Sequence, residues 1–208
     1  MSVNTNKSLL QRAKLDPQSE AWFQLNNIYD PLIAGWIVRA GVEESEVSDI
    51  AQEVMQALAQ DLENFEHNGR QGAFRSWLKT VTINRCRRYW DKKKRLLPIA
   101  KLPSAESATR ILNELEDPGS DVSDLWDSEH DSFVLNKVMQ LIQREFDARE
   151  YEIFVQNCIK GESAKSISDQ FEVTVGNVYK IKFRVLKRLK EAAEGLLDDN
   201  VFTHMGNE

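Results

Sequence analysis

The stretch FRSWLKTVTINRCRRYWDKKKR, Phe74 to Arg95, sets Arg75, Lys79, Arg85, Arg87, Arg88, Lys92, Lys93, Lys94 and Arg95 against a single acid, Asp91. Like charges at helical spacing repel one another, so a fold standing alone gains nothing from them. A polyanion relieves that repulsion, and phosphate contacts give an affinity that falls with salt. At a helical repeat Arg85, Arg88, Lys92 and Arg95 share one face, with Arg75 and Lys79 on an adjacent one. Tyr89 and Trp90 sit among these cations, and aromatic rings flanked by positive charge hold unpaired bases by stacking. Asn84 lies one helical turn earlier, and its amide can both donate to and accept from a base edge. The chemistry written here is the gripping of nucleic acid, by phosphates and by unpaired bases.

A second set of polar residues has the opposite sign. From Glu43 to Glu66 the chain carries eight acids and no Lys or Arg. Within it Asp49, Gln52, Glu53, Gln56 and Gln60 recur on one side of a helix. A face kept only for solubility mixes both signs, so this acidic, amide-rich face is suited to a basic partner. A third set lies near the C-terminus. Between Thr174 and Lys190 stand Lys180, Lys182, Arg184, Lys187 and Arg188, with Lys190 last and no acid among them.

The elements that must position these groups are helical. Val47, Ile50, Val54, Leu58, Leu62 and Phe65 recur at spacings of three and four and predict an amphipathic helix, with Ser45 as its N-cap. The preceding SEAWFQLNNIYDPLIAGWIVRAG predicts one or two helices, with Trp22, Phe23, Leu25, Ile28, Tyr29, Leu32, Ile33, Trp36 and Ile37 in the core. Pro31 is expected in a first turn or at a break. Gly69 and Gly72 mark a turn, and a helix starts near Ala73 with Phe74, Trp77, Leu78 and Val81 as its core side. Further on, a helix from Asp147 to Lys160 ends at Gly161. The short helix SAKSISDQF follows, then a turn, then a helix capped by Thr174 with Val178, Ile181, Val185 and Leu189 inward. A short helix, a tight turn and a basic helix together predict a helix-turn-helix whose second element enters a major groove. Asn177, Tyr179, Lys180 and Arg184 would face bases or nearby phosphates, and Lys182, Lys187 and Arg188 phosphates.

Between these lobes, Pro103 to Asp131 carries nine acids against Arg110 and is interrupted by Pro103, Pro118 and Gly119. It reads as a linker. The expected architecture is all-α: two small helical domains, residues 1–100 and 132–208, joined by a flexible acidic linker, residues 101–131. The net charge is −6, so the basic blocks are local and concern partners rather than fold. No apolar run approaches the roughly 20 residues of a membrane span, and the N-terminus has no signal-peptide core, so a cytoplasmic protein without membrane insertion is expected. Cys86 and Cys158 are isolated thiols, and His67, His130 and His204 are scattered, so neither a metal nor a cofactor is expected. No catalytic constellation is evident.

Three segments carry a resemblance. SDIAQEVMQAL resembles the polymerase-binding segment of bacterial RNA polymerase sigma factors of the compact extracytoplasmic-function type. GAFRSWLKTVTINRCRRYW is similar to that family's promoter-melting and −10-reading segment. SAKSISDQFEVTVGNVYKIKFRVLKRLKE is similar to its −35-reading helix-turn-helix. The family resemblance implies region 2 in the N-terminal domain and region 4 in the C-terminal one. It implies that Asp49, Gln52, Glu53 and Gln56 bind core RNA polymerase at the β′ clamp helices, with the β flap as a second contact. It implies −10 contacts by Phe65, Lys79, Asn84, Arg85, Arg88, Tyr89 and Lys92, Asn84 capturing a flipped base with Phe65 nearby. The −35 contacts would come from Thr174, Asn177, Tyr179, Lys180, Arg184 and Lys187. The linker would thread the polymerase's positive RNA-exit path. Promoter DNA is the second partner implied and an anti-sigma factor a third. Thr82 stands where the family usually has Ala, and Tyr179, Lys180 and Ile181 replace its usual Lys/Arg-Ser-Arg.

On this reading the chain is a non-enzymatic specificity subunit that carries polymerase to promoters and helps open the duplex. A stand-alone helix-turn-helix regulator remains the alternative; it would bind duplex tightly without polymerase and show no preference for unpaired −10 strand. An enzyme acting on nucleic acid would need a metal site, a nucleophile or a phosphate-cradling glycine loop, and the sequence offers none.

Overall fold

A computed structural model describes residues 8–16, 18–65, 71–98 and 104–206. Gly69, His67 and Pro103 lie outside the described residues. The architecture is all-α, and no strand occurs among the described residues. Contacts divide the chain into one compact unit over Leu10–Val134 and another that includes Leu135–Glu208.

The first unit is built on α1 (Leu9–Leu15), α2 (Glu20–Arg39), α3 (Glu44–Asp61), α4 (Ala73–Leu96), α5 (Ala105–Glu116) and the opening turns of α6 (Asp121–Gln143). Ser19 caps α2 by accepting a hydrogen bond from the Trp22 N–H. Pro31, expected at a first turn or a break, lies inside α2, which continues through it to Arg39. Ser45, expected to cap α3, is instead within it; the cap position belongs to Glu43, which makes no side-chain cap bond. Acids Glu44 and Glu46 in the first turn still suit the helix dipole. α2 packs on α3 and α4, and α3 on α4. Leu25, Ile28, Tyr29, Ile33 and Ile37 of α2 meet Val54, Leu58, Phe74 and Leu78 in a core almost closed to water. Phe23, expected in that core, is 60% exposed.

Pro103–Asp131 was expected to be a flexible linker, and its described part is not. α5 turns Ala105, Ala108, Leu112 and Leu115 inward against α4. In α6, Trp126, His130 and Val134 recur every four residues and are fully buried. The Trp126 ring lies 5.0 Å from Trp36. His130 Nε2 is 3.2 Å from the Tyr29 hydroxyl and its Nδ1 is 3.0 Å from Asp131. Burial pushes the His130 imidazole below its ordinary value, against the pull of Asp131. Burial alone would raise the Asp131 carboxyl, but hydrogen bonds from His130 and Arg75 hold it below the usual carboxylate range.

The second unit contains α7 (Ala148–Cys158), α8 (Ala164–Gln170), α9 (Val175–Ala193) and a short C-terminal α10 (Thr203–Gly206). Asp147 caps α7, accepting from the Arg149 and Glu150 N–H groups. Gly161, with φ +71°, makes the bend after it that a side chain would strain. Ser163 caps α8 through the Ser166 N–H, and Thr174 caps α9 through the Asn177 N–H. Val178, Ile181, Val185 and Leu189 form the buried side of α9, as their spacing requires, and pack on α7 and α8.

Candidate nucleic-acid interface

The cations of α4 separate into two groups. Arg75, Lys79, Arg87, Lys93 and Lys94 are used by the chain itself, the last by donating to Thr109 of α5. Arg75 reaches Asp127 at 3.2 Å and Asp131 at 2.5 Å. Lys79 donates to Ser123 Oγ at 2.7 Å and lies 3.1 Å from Asp127. Arg87 forks onto Glu116 at 3.1 and 2.6 Å and donates to Asn113. With Lys79 only 12% exposed, the expectation that it grips promoter phosphates is corrected: its ammonium is spoken for by α6. Arg39 of α2 likewise forks onto Glu129 at 2.6 and 2.8 Å. Four of the nine carboxylates expected to thread an exit path, Glu116, Asp127, Glu129 and Asp131, therefore neutralise cations of α2 and α4.

The other group stands open. Asn84, Arg88, Lys92 and Arg95 are exposed and fall on one stripe of α4. No described carboxylate forms an ion pair with Arg88, Lys92 or Arg95, and Arg88, Asp91, Lys92, Arg95 and Leu96 line an open depression of about 380 Å³. Arg85, half-buried beside this stripe, has Glu53 of α3 at 3.8 Å. Such a stripe is kept against its own repulsion, a few tenths of a kcal/mol per like-charged pair one turn apart. It offers positive charge and one amide to a strand lying along the helix.

Tyr89 and Trp90 do not join it. Both are buried, at 8% and 5% exposure. The Trp90 Nε1–H donates to the Ala40 carbonyl at 3.0 Å, and the Tyr89 hydroxyl accepts from the Glu43 N–H at 3.4 Å. Gly41, at φ +75°, makes the left-handed turn of that connection, which a side chain would strain. Their expected role in stacking on bases is corrected: they fasten α4 to the α2–α3 turn. The ring that extends the open stripe is one assigned by spacing to the core. Trp77 is two turns before Asn84, half-exposed, and 5.6 Å from Phe65, which is also half-exposed. Phe65 in turn stacks edge-on with Phe74 at 5.5 Å. The signal available in the sequence was the spacing of seven between Trp77 and Asn84.

On α3, Asp49, Gln52, Glu53 and Gln56 are all exposed on the side away from its buried stripe. Lys93, near the end of α4, pairs with Glu43 at 3.2 Å and Glu46 at 3.8 Å. The Cys86 thiol is buried and pushed up to about 12, which leaves it a packing group.

In the second unit Asn177, Tyr179, Lys180 and Lys187 are exposed on α9. The Thr174 hydroxyl is occupied as a cap acceptor at 3.2 Å. Arg184 is exposed but pairs with Glu150. Arg188, expected to meet phosphates, is only 14% exposed and clamped by Glu145 at 2.6 and 2.8 Å, so that expectation is corrected. Glu172 in the turn has φ +48°, and Arg149 ties the turn down by donating to the Phe171 carbonyl.

No curated protein matches the chain. Residues 27–96, which hold most of α2 together with α3 and α4, match the family model described as Sigma-70 region 2. The second unit lies outside that match. Proteins of the sigma-70 family are transcription initiation factors without catalysis of their own, acting in promoter recognition and polymerase binding. The likeness to that family thus covers about a third of the chain, within its first unit.

Proposed function

We propose that the chain is an initiation factor of the extracytoplasmic-function type, working in the cytoplasm, with the two units as its two DNA-reading domains. The α3 face of Asp49, Gln52, Glu53 and Gln56 docks on the basic clamp-helices coiled coil of the polymerase β′ subunit, and the second unit meets the β flap. The α4 stripe takes the −10 strand: Arg85, Arg88, Lys92 and Arg95 hold its backbone and Asn84 captures a flipped base beside Phe65 and Trp77. The α9 helix enters the −35 major groove with Asn177, Tyr179, Lys180, Lys187 and, once freed from Glu150, Arg184.

The observation that carries this reading is the sorting of the α4 cations. Arg75, Lys79 and Arg87, facing α5 and α6, pair with internal carboxylates and Lys94 donates to Thr109 of α5, while Arg88, Lys92 and Arg95 on the other side have no ion-pair partner among the described residues. Charge that served only the fold would be neutralised throughout. A sigma factor also needs the acidic α3 face to stay open, and it is open.

The test is co-elution with core polymerase of the wild-type chain and of a chain carrying Asp49→Arg with Glu53→Arg. Both positions are exposed, so the fold survives, and the variant should lose association at least tenfold. Equal co-elution of the two would sink the assignment of this face. Failure of the wild-type chain to associate at all would favour the stand-alone regulator.

A further inference from the structure

The DNA-reading helix carries a feature that phosphate contacts do not explain. Phe183 is 71% exposed, Tyr179 47% and Val175 38%. The three are spaced by four, so they form one row along α9. At about 100° per residue, the buried side of α9, centred on Val178, Ile181, Val185 and Leu189, lies opposite Phe183. Phe183 is thus at the outermost line of the helix, where a globular fold has no use for an aromatic ring. Lys180 and Lys187 border this row on one side. Lys180 has no ion-pair partner among the described residues, and Lys187 has only a distant one, Glu191 at 4.0 Å.

Resting on the assignment of α9 to a major groove, we infer that Tyr179 and Phe183 read thymine, through contact with its C5-methyl group. The groove edge of a base pair is polar except for that methyl, which is the group an apolar side chain can distinguish. The lysines beside the row favour a polyanion as its occupant over an apolar protein groove. They also supply the phosphate contacts that would hold the rings against the base edges. Val175, at the first turn, extends the same apolar row toward the end of the helix that enters a groove deepest.

The test uses the full chain with core polymerase. Duplexes are selected from a random pool, and the upstream element is resynthesised with deoxyuridine in place of thymidine, one position at a time. Deoxyuridine keeps every hydrogen-bonding group and removes only the methyl. Loss of one buried methyl should weaken binding about fourfold at one or two positions. Phe183→Ala should erase the thymine preference at one of them while leaving −10 contacts unchanged. The inference is overturned if no position responds to deoxyuridine, or if the response is unaltered in both Phe183→Ala and Tyr179→Ala. A separate arm guards the underlying assignment: Lys180→Ala should weaken duplex binding and flatten its salt dependence whatever the methyl result. If Lys180→Ala has no effect, α9 is not in the groove and the methyl contact falls with it. Normal duplex binding by Phe183→Ala, together with a lost protein contact, would give the row to a protein instead.

Discussion

Replacing Trp126 by Ala tests whether the acidic segment is part of the first domain or only tethered to it. Trp126 is fully buried, 5.0 Å from Trp36, on the same stripe of α6 as His130 and Val134. Truncating a fully packed aromatic side chain costs about 3–5 kcal/mol, from lost transfer energy and the cavity left behind. With a urea slope of about 2 kcal/mol/M, the unfolding midpoint should fall by roughly 1.5–2.5 M. The assay is selective by construction. All five tryptophans, Trp22, Trp36, Trp77, Trp90 and Trp126, lie within Leu10–Val134, so selectively excited tryptophan fluorescence follows that unit alone. Four of them remain in the variant. Trp126→Phe keeps an aromatic ring in the site and should cost less than half as much, which covers the case in which the alanine variant does not fold. A midpoint that moves by less than about 0.3 M for Trp126→Ala, at unchanged slope, would refute the packing and restore a loose linker.

Two further outcomes are expected. Arg88→Gln with Lys92→Gln should lower the slope of log affinity against log salt for single-stranded −10 DNA by about 1.4, near 0.7 per contact. Arg87→Gln, whose cation is already held by Glu116, should leave that slope alone, and equal effects would dissolve the distinction between the two sides of α4. Stability of the first unit should fall as pH drops from 7 toward 5, because the unfolded chain takes up a proton near the ordinary histidine value of 6.5 while folded His130 resists it. The slope is at most about 1.4 kcal/mol per pH unit, Asp131 adds a further loss below its unfolded value, and His130→Gln should flatten the upper part; a flat wild-type profile across that range would contradict the burial.

What could be read without coordinates depended on whether an element's partner lay nearby in the chain. The buried side of α9 and its Thr174 cap follow from spacing alone, and so does the open side of α3. The helices α5 and α6 were hidden by composition. The inward positions Ala105, Ala108, Leu112 and Leu115 do keep a helical period in α5, but they stand among the acids, Pro118 and Gly119 that suggest a linker, and the inward stripe of α6 includes a histidine and shows little apolar period. The burial of Tyr89 and Trp90 was illegible for a different reason. Apolar residues occur around most of the circumference of α4, and the choice between sides is made by the α2–α3 turn, through the Ala40 carbonyl and the Glu43 N–H. Lys79 looked like a phosphate ligand because its partners, Ser123 and Asp127, lie more than forty residues away.

A chain with net charge −6 can still grip a polyanion because charges act over short distances in salt. At physiological ionic strength the screening length is about 8 Å, so a strand lying along α4 senses Arg88, Lys92, Arg95 and little of the distant acids. Asp91 stands among them, and Glu53 is near only to Arg85. Other acids near α4 are held by Lys93, which takes Glu43 and Glu46, and by Arg75, Lys79 and Arg87 on the side of α5 and α6. That pairing holds α5 and α6 against α4 and also lowers the repulsion along the helix as a whole, which is what allows the open cations to remain unpaired in a stable fold. The Arg75 and Lys79 cations of these pairs are largely covered, so a competing salt ion gains little access to them, whereas Arg87 and Glu116 meet in the open and are screened. On the proposed function, the open stripe is left to exchange its counterions for phosphates.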